Sequence, residues 1–236
     1  MAFMIDHTYR KDTKHQPRWG YQARGGAAPS SIIIHTTNNK NKNTAFNGEA
    51  EFLRDSPAVS AHFLIGKDGR IVQFLDPMRW QAWHAGPALP AYLNAKSIGI
   101  ESHVSVGETW TAAQHDACTW LVRDLIAAYG ISPELVDTHR AVALPKGRKS
   151  DPEGWENEPF YAWRATLSSP PAPQPPITKR YRARRMMISQ PEKGGPPYFG
   201  ELQPGEEVVV NKWYSTGMVH LADGRGFVKL SDLEPV

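Results

Sequence analysis

The 236-residue chain holds one cysteine, Cys118, so no disulfide can close within it. On the apolar side of a predicted helix, that residue reads as a buried, inert thiol. No segment approaches the roughly eighteen apolar residues needed to span a bilayer. The opening stretch, "MAFMIDHTYRKDTKHQPRWG", lacks the apolar centre and small-residue cleavage site of a secretory leader. Excess charge is scarce too: 27 Lys+Arg against 24 Asp+Glu gives +3 and a pI near 8.9. That balance permits contact with an anionic polymer but does not supply the concentrated basic face of a nucleic-acid binder. These absences lead us to expect a soluble monomer made in the cytoplasm without a leader, with no nucleic-acid partner and no membrane insertion. If it acts beyond the membrane, another agent must release it.

Proline is plentiful, and it is concentrated. "SSPPAPQPPIT", residues 168–178, carries five prolines and no charge. Such a segment suits neither helix nor central strand and is expected to lie extended as a semi-rigid spacer. It divides the chain into a larger part, 1–167, and a smaller one, 179–236.

In the larger part "SIIIHTT" (31–37) reads as a buried strand, and "NTAFNGEAEFLRD" (43–55) as a helix capped by Asn43 or Thr44. "VSAHFLIG" and "RIVQFL" flank the turn signal "KDG", which predicts a β-hairpin over 59–75. "SIGIESHV" (97–104) is a further strand. "TAAQHDACTWLVRDLIAAYG" (111–130) is the clearest helix, with Ala117, Leu121, Val122, Leu125, Ile126 and Tyr129 on one face and Gly130 as its stop. Helices interleaved with a mixed sheet predict an α/β domain. The smaller part has no helical period. "GEEVVVNKWY", "GMVHLADGRGFVKL" and "LEPV" read as short strands between turns, which predicts a small all-β barrel of five or six strands.

The chemistry-bearing candidates are dispersed. His35 ends the apolar strand and points into whatever crevice the sheet forms, unless it is a core histidine bonded to a backbone carbonyl. His139, in "DTHR", precedes the broken loop "AVALPKGRKSDP", and Asp151 closes that loop. Two histidines and a carboxylate form the ligand type of a catalytic zinc with an open fourth position, although their spacing is no local signature. Lys149 is either part of a solvated basic turn or a cation placed to stabilise an oxyanion. Glu101, in "GIES", either faces solvent or is a functional carboxylate in an apolar strand. His84 lies in "QAWHAG", an aromatic, glycine-bearing loop with Trp83 of the kind that lines sugar or peptide grooves or anchors packing. His62, in "SAHFLI", reads as packing or groove wall.

Taken in order, "IIIHTT", "VSAHFLIGKDGRIVQFL", "AWHAG", "LNAKSIGIES", "THR" and "GRKSDP" resemble the zinc-dependent N-acetylmuramoyl-L-alanine amidases of the amidase-2 type, which share a fold with peptidoglycan recognition proteins. The resemblance covers residues 30–165. It implies that His35, His139 and Asp151 bind Zn²⁺, that Lys149 stabilises the oxyanion, and that Glu101 assists the water. It also implies that Trp83, His84 and His62 line the peptidoglycan groove. Some relatives place a tyrosine in the hairpin for the role of Glu101; this chain has Ala61 there. The "HRAV" that follows the second histidine departs from the commoner acidic residue, and the loop to Asp151 is slightly long.

The smaller part resembles a bacterial SH3-like domain through "ELQPGEEVVV" and "GFVKLSDLEP", which implies binding to cell-wall peptide. "KRYRARR" (179–185) could help it meet the anionic wall or could simply be a solvated strand edge. Three readings follow: a phage-type endolysin acting on the wall after release, a cytoplasmic amidase recycling anhydro-muropeptides, and a recognition protein without catalysis.

Overall fold

The isoleucine run at 31–37 is the heart of a six-stranded sheet. In the computed structural model, the described residues are 3–11, 20–41, 43–91, 93–168, 179–183, 187–188, 201–213, 218–221, 227–229 and 233–236. The chain divides into two units, Phe3–Pro170 and one that runs from Pro171 to Val236. The larger unit contains β1 (Ile5–Asp6), β2 (Tyr21–Ala23), β3 (Ser31–Thr36), α1 (Phe46–Asp55), β4 (Phe63–Ile65), β5 (Ile71–Gln73) and β6 (Trp80–Ala82). It continues through α2 (Leu93–Lys96), β7 (Ser97–Ser102), α3 (Ala112–Tyr129), β8 (Val136–Thr138), α4 (His139–Val142) and α5 (Asn157–Thr166).

The main sheet has the order β1-β5-β4-β7-β3-β8, with β4 and β5 antiparallel and the other pairs parallel. Ile32, Ile33 and Ile34 are all buried, as expected for a parallel strand covered on both faces. One face, with Ile32, Ile34, Phe63, Ile98 and Ile100, packs on Ala117, Cys118, Leu121, Val122 and Leu125 of α3 and on Phe160 of α5. The alternate positions form the opposite face. Because β3 and β7 pair Ile33 with Gly99 and His35 with Glu101, those four residues share that second face.

Most predicted elements occur within a few residues of their expected bounds, including the hairpin, realised as β4 and β5. Helix α3 begins in a capping box between Thr111 and Gln114 and ends at Gly130, whose φ of 66° suits a left-handed cap. Helix α1 differs from the expectation: its N-cap is Ala45, with no side-chain cap bond, so neither Asn43 nor Thr44 fills that role. The sequence reading passed over α5, where Pro159 lies in the first turn and only Phe160 is buried. The small antiparallel ribbon of β2 and β6 also went unpredicted.

The second unit is all β among its described residues. Strands β9 (Lys179–Ala183), β12 (Glu207–Trp213), β13 (Met218–Leu221), β14 (Phe227–Lys229) and β15 (Leu233–Pro235) form one antiparallel sheet, with β10 (Met187–Ile188) and β11 (Glu201–Leu202) paired separately. Its core is Ala183, Leu202, Val208, Val210, Val219, Leu221, Val228 and Leu233. The expected barrel is thus described as a five-stranded sheet. Strand β9, which holds most of the basic run, pairs with β12 on one side and β15 on the other, so it is an inner strand and not a solvated edge. The rest of that run, 184–185, and the proline-rich stretch 169–178 lie outside the described residues.

Candidate metal centre

Parallel strands end together, and here their C-terminal ends bring the dispersed candidates to one place. His35 is the penultimate residue of β3, Glu101 the penultimate residue of β7, and His139 the first residue after β8. Thr138 caps α4 through the Ala141 amide, which turns the chain sharply at the histidine. Asp151 arrives from outside the sheet. Its carbonyl accepts from the Arg140 amide at 2.8 Å, and the Arg140 guanidinium donates to the carbonyls of Pro152 and Trp155. Arg140 therefore fastens the loop that carries the carboxylate, which accounts for the basic residue in "HRAV".

Three atoms converge. His35 Nδ1 lies 3.0 Å from His139 Nδ1 and 3.2 Å from Asp151 Oδ2, and His139 Nδ1 lies 3.0 Å from the same oxygen. The three residues are 1%, 3% and 5% exposed. They form the one cluster of metal-ligand type found among the described residues. Donors about 2.0–2.1 Å from a tetrahedral zinc would stand roughly 3.3 Å apart, close to what is observed. The donor set also fits a cation chemically. His139 Nε2 contacts the Ala85 carbonyl at 3.0 Å, and a carbonyl only accepts, so the neutral ring carries its proton there and presents a bare Nδ1.

The surroundings of the other two donors also favour metal-binding charge states. Burial lowers the His35 pKa to about 4, with His139 and Lys149 adding to the effect and Asp151 opposing it. Burial alone would raise the Asp151 carboxyl, but its close approach to His139 and His35 outweighs that and holds the acid well below its ordinary range. A carboxylate and neutral imidazoles are the forms in which these side chains bind metal.

Glu101 stands beside His35 on the neighbouring strand. Its Oε2 is buried with no hydrogen-bond partner among the described residues. Burial first, then Asp151 and Glu49, push its carboxyl well above the ordinary range, against a smaller opposing effect of Lys149. Lys149 is exposed, two residues before Asp151 on the same loop. Ala61, where some relatives place a tyrosine, is fully buried.

The three groove candidates separate. Trp83 is 37% exposed and can meet a ligand. His62 is fully buried, with Nδ1 accepting from the Gly99 amide at 3.0 Å and Nε2 facing the Trp80 carbonyl at 3.0 Å, so its ring nitrogens are engaged inside the protein and do not reach a substrate. His84 is buried as well, and its Nδ1 lies 2.8 Å from His35 Nε2. It stands behind the metal ligand and not on a groove wall. Ala85, Asn94 and Arg148 also bear on the centre and were missed, because a backbone carbonyl, the side-chain amide of a short helix and a loop guanidinium leave no signature in the sequence.

Residues 25–154, more than half of the chain, match the family described as N-acetylmuramoyl-L-alanine amidase. Among curated proteins the chain is 36% identical over 114 residues to 1,6-anhydro-N-acetylmuramyl-L-alanine amidase AmpD of Salmonella typhimurium, covering 47% of this chain and 59% of that protein. It is 32% identical over 176 residues to N-acetylmuramoyl-L-alanine amidase AmiD of Escherichia coli, covering 66% of this chain and 56% of that one. The chain thus spans less than two thirds of the length of these relatives. Among solved structures, a selenomethionine derivative of AmpD superposes with a TM-score of 0.55 at 24% identity, over 70% of this chain and 99% of that one. A mutant endolysin from Bacillus subtilis gives 0.55 at 24% identity, over 71% and 100%. The sheet order, the converging donors and the matched segment agree, and the chain belongs to the amidase-2 family of N-acetylmuramoyl-L-alanine amidases.

Proposed function

We propose that this chain is a zinc-dependent amidase that hydrolyses the amide between the lactyl group of N-acetylmuramic acid and L-alanine in peptidoglycan. The observation that carries the reading is the convergence of His35, His139 and Asp151 within 3.0–3.2 Å beside a buried, unpartnered Glu101 oxygen. His35 Nδ1, His139 Nδ1 and Asp151 Oδ2 would hold the ion. When bound, zinc supplies a Lewis acid for the scissile carbonyl and acidifies the attacking water. Glu101 takes the proton that the water loses as its oxygen bonds to the carbonyl carbon. It returns that proton to the alanine nitrogen as the C–N bond breaks, leaving a lactyl carboxylate and a free amine. A carboxyl with a raised pKa suits that relay. Lys149, on the loop that ends at Asp151, brings an ammonium to the charge developing on the carbonyl oxygen. Trp83 offers an exposed ring to the sugar or stem peptide.

The wall-acting, endolysin-type reading takes further support from the second unit. A small antiparallel sheet beyond a proline-rich stretch suits an SH3-like wall-binding module, which would raise the local concentration of substrate. A second reading, recycling of soluble anhydro-muropeptides in the cytoplasm, is favoured by Glu101 and by the similarity to AmpD.

Digestion of purified insoluble peptidoglycan, followed by mass spectrometry, tests the reading. Free L-alanine amino termini on intact glycan strands, lost with chelator and restored by zinc, are expected. New reducing sugar ends would overturn it. Cleavage of soluble anhydro-muropeptides without release from sacculi would select the recycling reading.

A further inference from the structure

Both candidate histidine ligands turn the same nitrogen, Nδ1, toward the centre, and their Nε2 atoms meet two consecutive residues. His35 Nε2 lies 2.8 Å from His84 Nδ1, and His139 Nε2 lies 3.0 Å from the Ala85 carbonyl. The protons in this network can be followed from its far end. Ser97 Oγ donates to the Leu93 carbonyl at 2.7 Å, because a carbonyl cannot donate. His84 Nε2, 3.0 Å from Ser97 Oγ, must then be the donor to that hydroxyl. His84 Nδ1 is left with a lone pair, which accepts from His35 Nε2, and His35 Nδ1 is left bare. Along the path from Leu93 through Ser97 and His84 to His35, this is the only arrangement of neutral rings in which every contact is a hydrogen bond. It gives His35 the same tautomer that the Ala85 carbonyl gives His139. The three contacts among His35 Nδ1, His139 Nδ1 and Asp151 Oδ2 then join acceptors only, as befits donors to a shared cation.

The dipeptide that does this is itself held in place. The backbone amides of His84 and Ala85 both donate to Asn94 Oδ1, at 3.2 and 2.9 Å. Arg148 Nη2 donates to the Ala85 carbonyl at 3.0 Å and to that of Pro87 at 2.8 Å. The His84 ring lies against Gly99, where an added Cβ would come within 2.5 Å of His84 Cγ. A glycine inside a strand often marks such a close approach.

We propose that His84 and Ala85, pinned by Asn94, preset both histidine ligands of the metal centre with Nδ1 unprotonated and aimed at the ion. His84 and Asn94 are positioning residues; neither touches the reacting atoms. The inference rests on the reading of His35, His139 and Asp151 as a metal centre. It goes beyond that reading by assigning roles to side chains on a loop and a short helix.

The test uses the full chain, stripped of metal, with zinc affinity measured by competition against a chromophoric chelator. Asn Oδ1 occupies about the place of the imidazole Nδ1, so His84→Asn keeps the acceptor that His84→Leu removes. Loss of an orienting partner typically weakens binding about 10- to 100-fold, so that loss is expected for His84→Leu and Asn94→Leu, with His84→Asn and Asn94→Asp recovering most of it. Thermal unfolding of each metal-free variant separates this from loss of packing, since a purely structural role would lower stability and leave the affinity of the folded fraction unchanged. Equal zinc affinity for His84→Leu and His84→Asn would overturn the proposal. Nitrogen-15 NMR of the metal-free wild type needs no variant: both His35 and His139 should carry the proton on Nε2, and a proton on Nδ1 of His35 would also overturn it. A wild type that fails to bind zinc at all would instead remove the metal-centre reading, and the two failures are distinct.

Discussion

At Glu101, burial first, then Asp151 and Glu49, raise the carboxyl well above its ordinary range, and Lys149 alone opposes them. Glu101→Gln keeps the size of the side chain and removes the proton transfer. Its kcat on muropeptide should fall by about 10²–10⁴-fold, with bound zinc unchanged by metal analysis. Lys149→Met removes a cation that touches no ligand atom. A loss of about 10²–10³-fold in kcat/KM is expected, again with zinc retained. A fall in zinc content with either variant would move that residue from chemistry to metal binding. At this scale the sequence was informative where a side chain is chemically odd for its place. A histidine and a glutamate near the ends of apolar strands, and an aspartate closing a broken loop, stand out as residue types. Ala85 does not, because its part is taken by a carbonyl that every residue has. His84 stood out as an aromatic-loop histidine, yet whether it faces a groove or another histidine depends on where that loop folds back.

Among the elements, α3 shows most plainly how burial is shared. Leu121 is fully buried between the helix and the isoleucines of β3 and β7. Leu121→Ala should destabilise the protein by about 2–5 kcal/mol, read as a shift in the urea midpoint with little change in slope. Zinc stoichiometry of the folded protein should be unaffected, since Leu121 packs on the face opposite His35. Helix α3 and strand β3 were legible because long periodic or β-branched runs are locally unambiguous. Helix α5 was not: with Pro159 in its first turn and only Phe160 buried, no apolar stripe of helical period runs along it, and its aromatics Phe160 and Trp163 gather on Trp155 just before the helix. Strands β2 and β6 are three residues each, too short for an alternating pattern to show.

For the larger unit as a whole, histidine burial sets the response to acid. Burial lowers His7 and His35 to about 4, His62 to about 3, and His84 well below its ordinary value. Each is depressed in the folded state, so the unfolded chain binds protons first as the pH falls. The stability they permit is fully present above about 6.5 and is lost progressively as the pH drops through 6.5 toward 4 and below. Thermal unfolding of the metal-free protein at pH 7.5, 6, 5 and 4, taken as illustrative points about that range, should show a falling midpoint. A midpoint independent of pH over that range would mean that these rings are accessible to protons in the fold.

By itself the sequence determined the α/β class of the first unit, its strongest helix and strand, the all-β character of the second, and a short set of residues able to hold a metal. These are properties of local pattern and side-chain chemistry, which need no knowledge of the partner. Only the tertiary structure decided that His35 and Glu101 are neighbours, through the parallel register of β3 and β7. It alone decided that Asp151 closes on two histidines under the hold of Arg140, that His62 is interior, and that His84 stands behind a ligand. Those facts are distances between residues 12 to 116 apart in the chain, and only strand pairing and loop closure fix such distances.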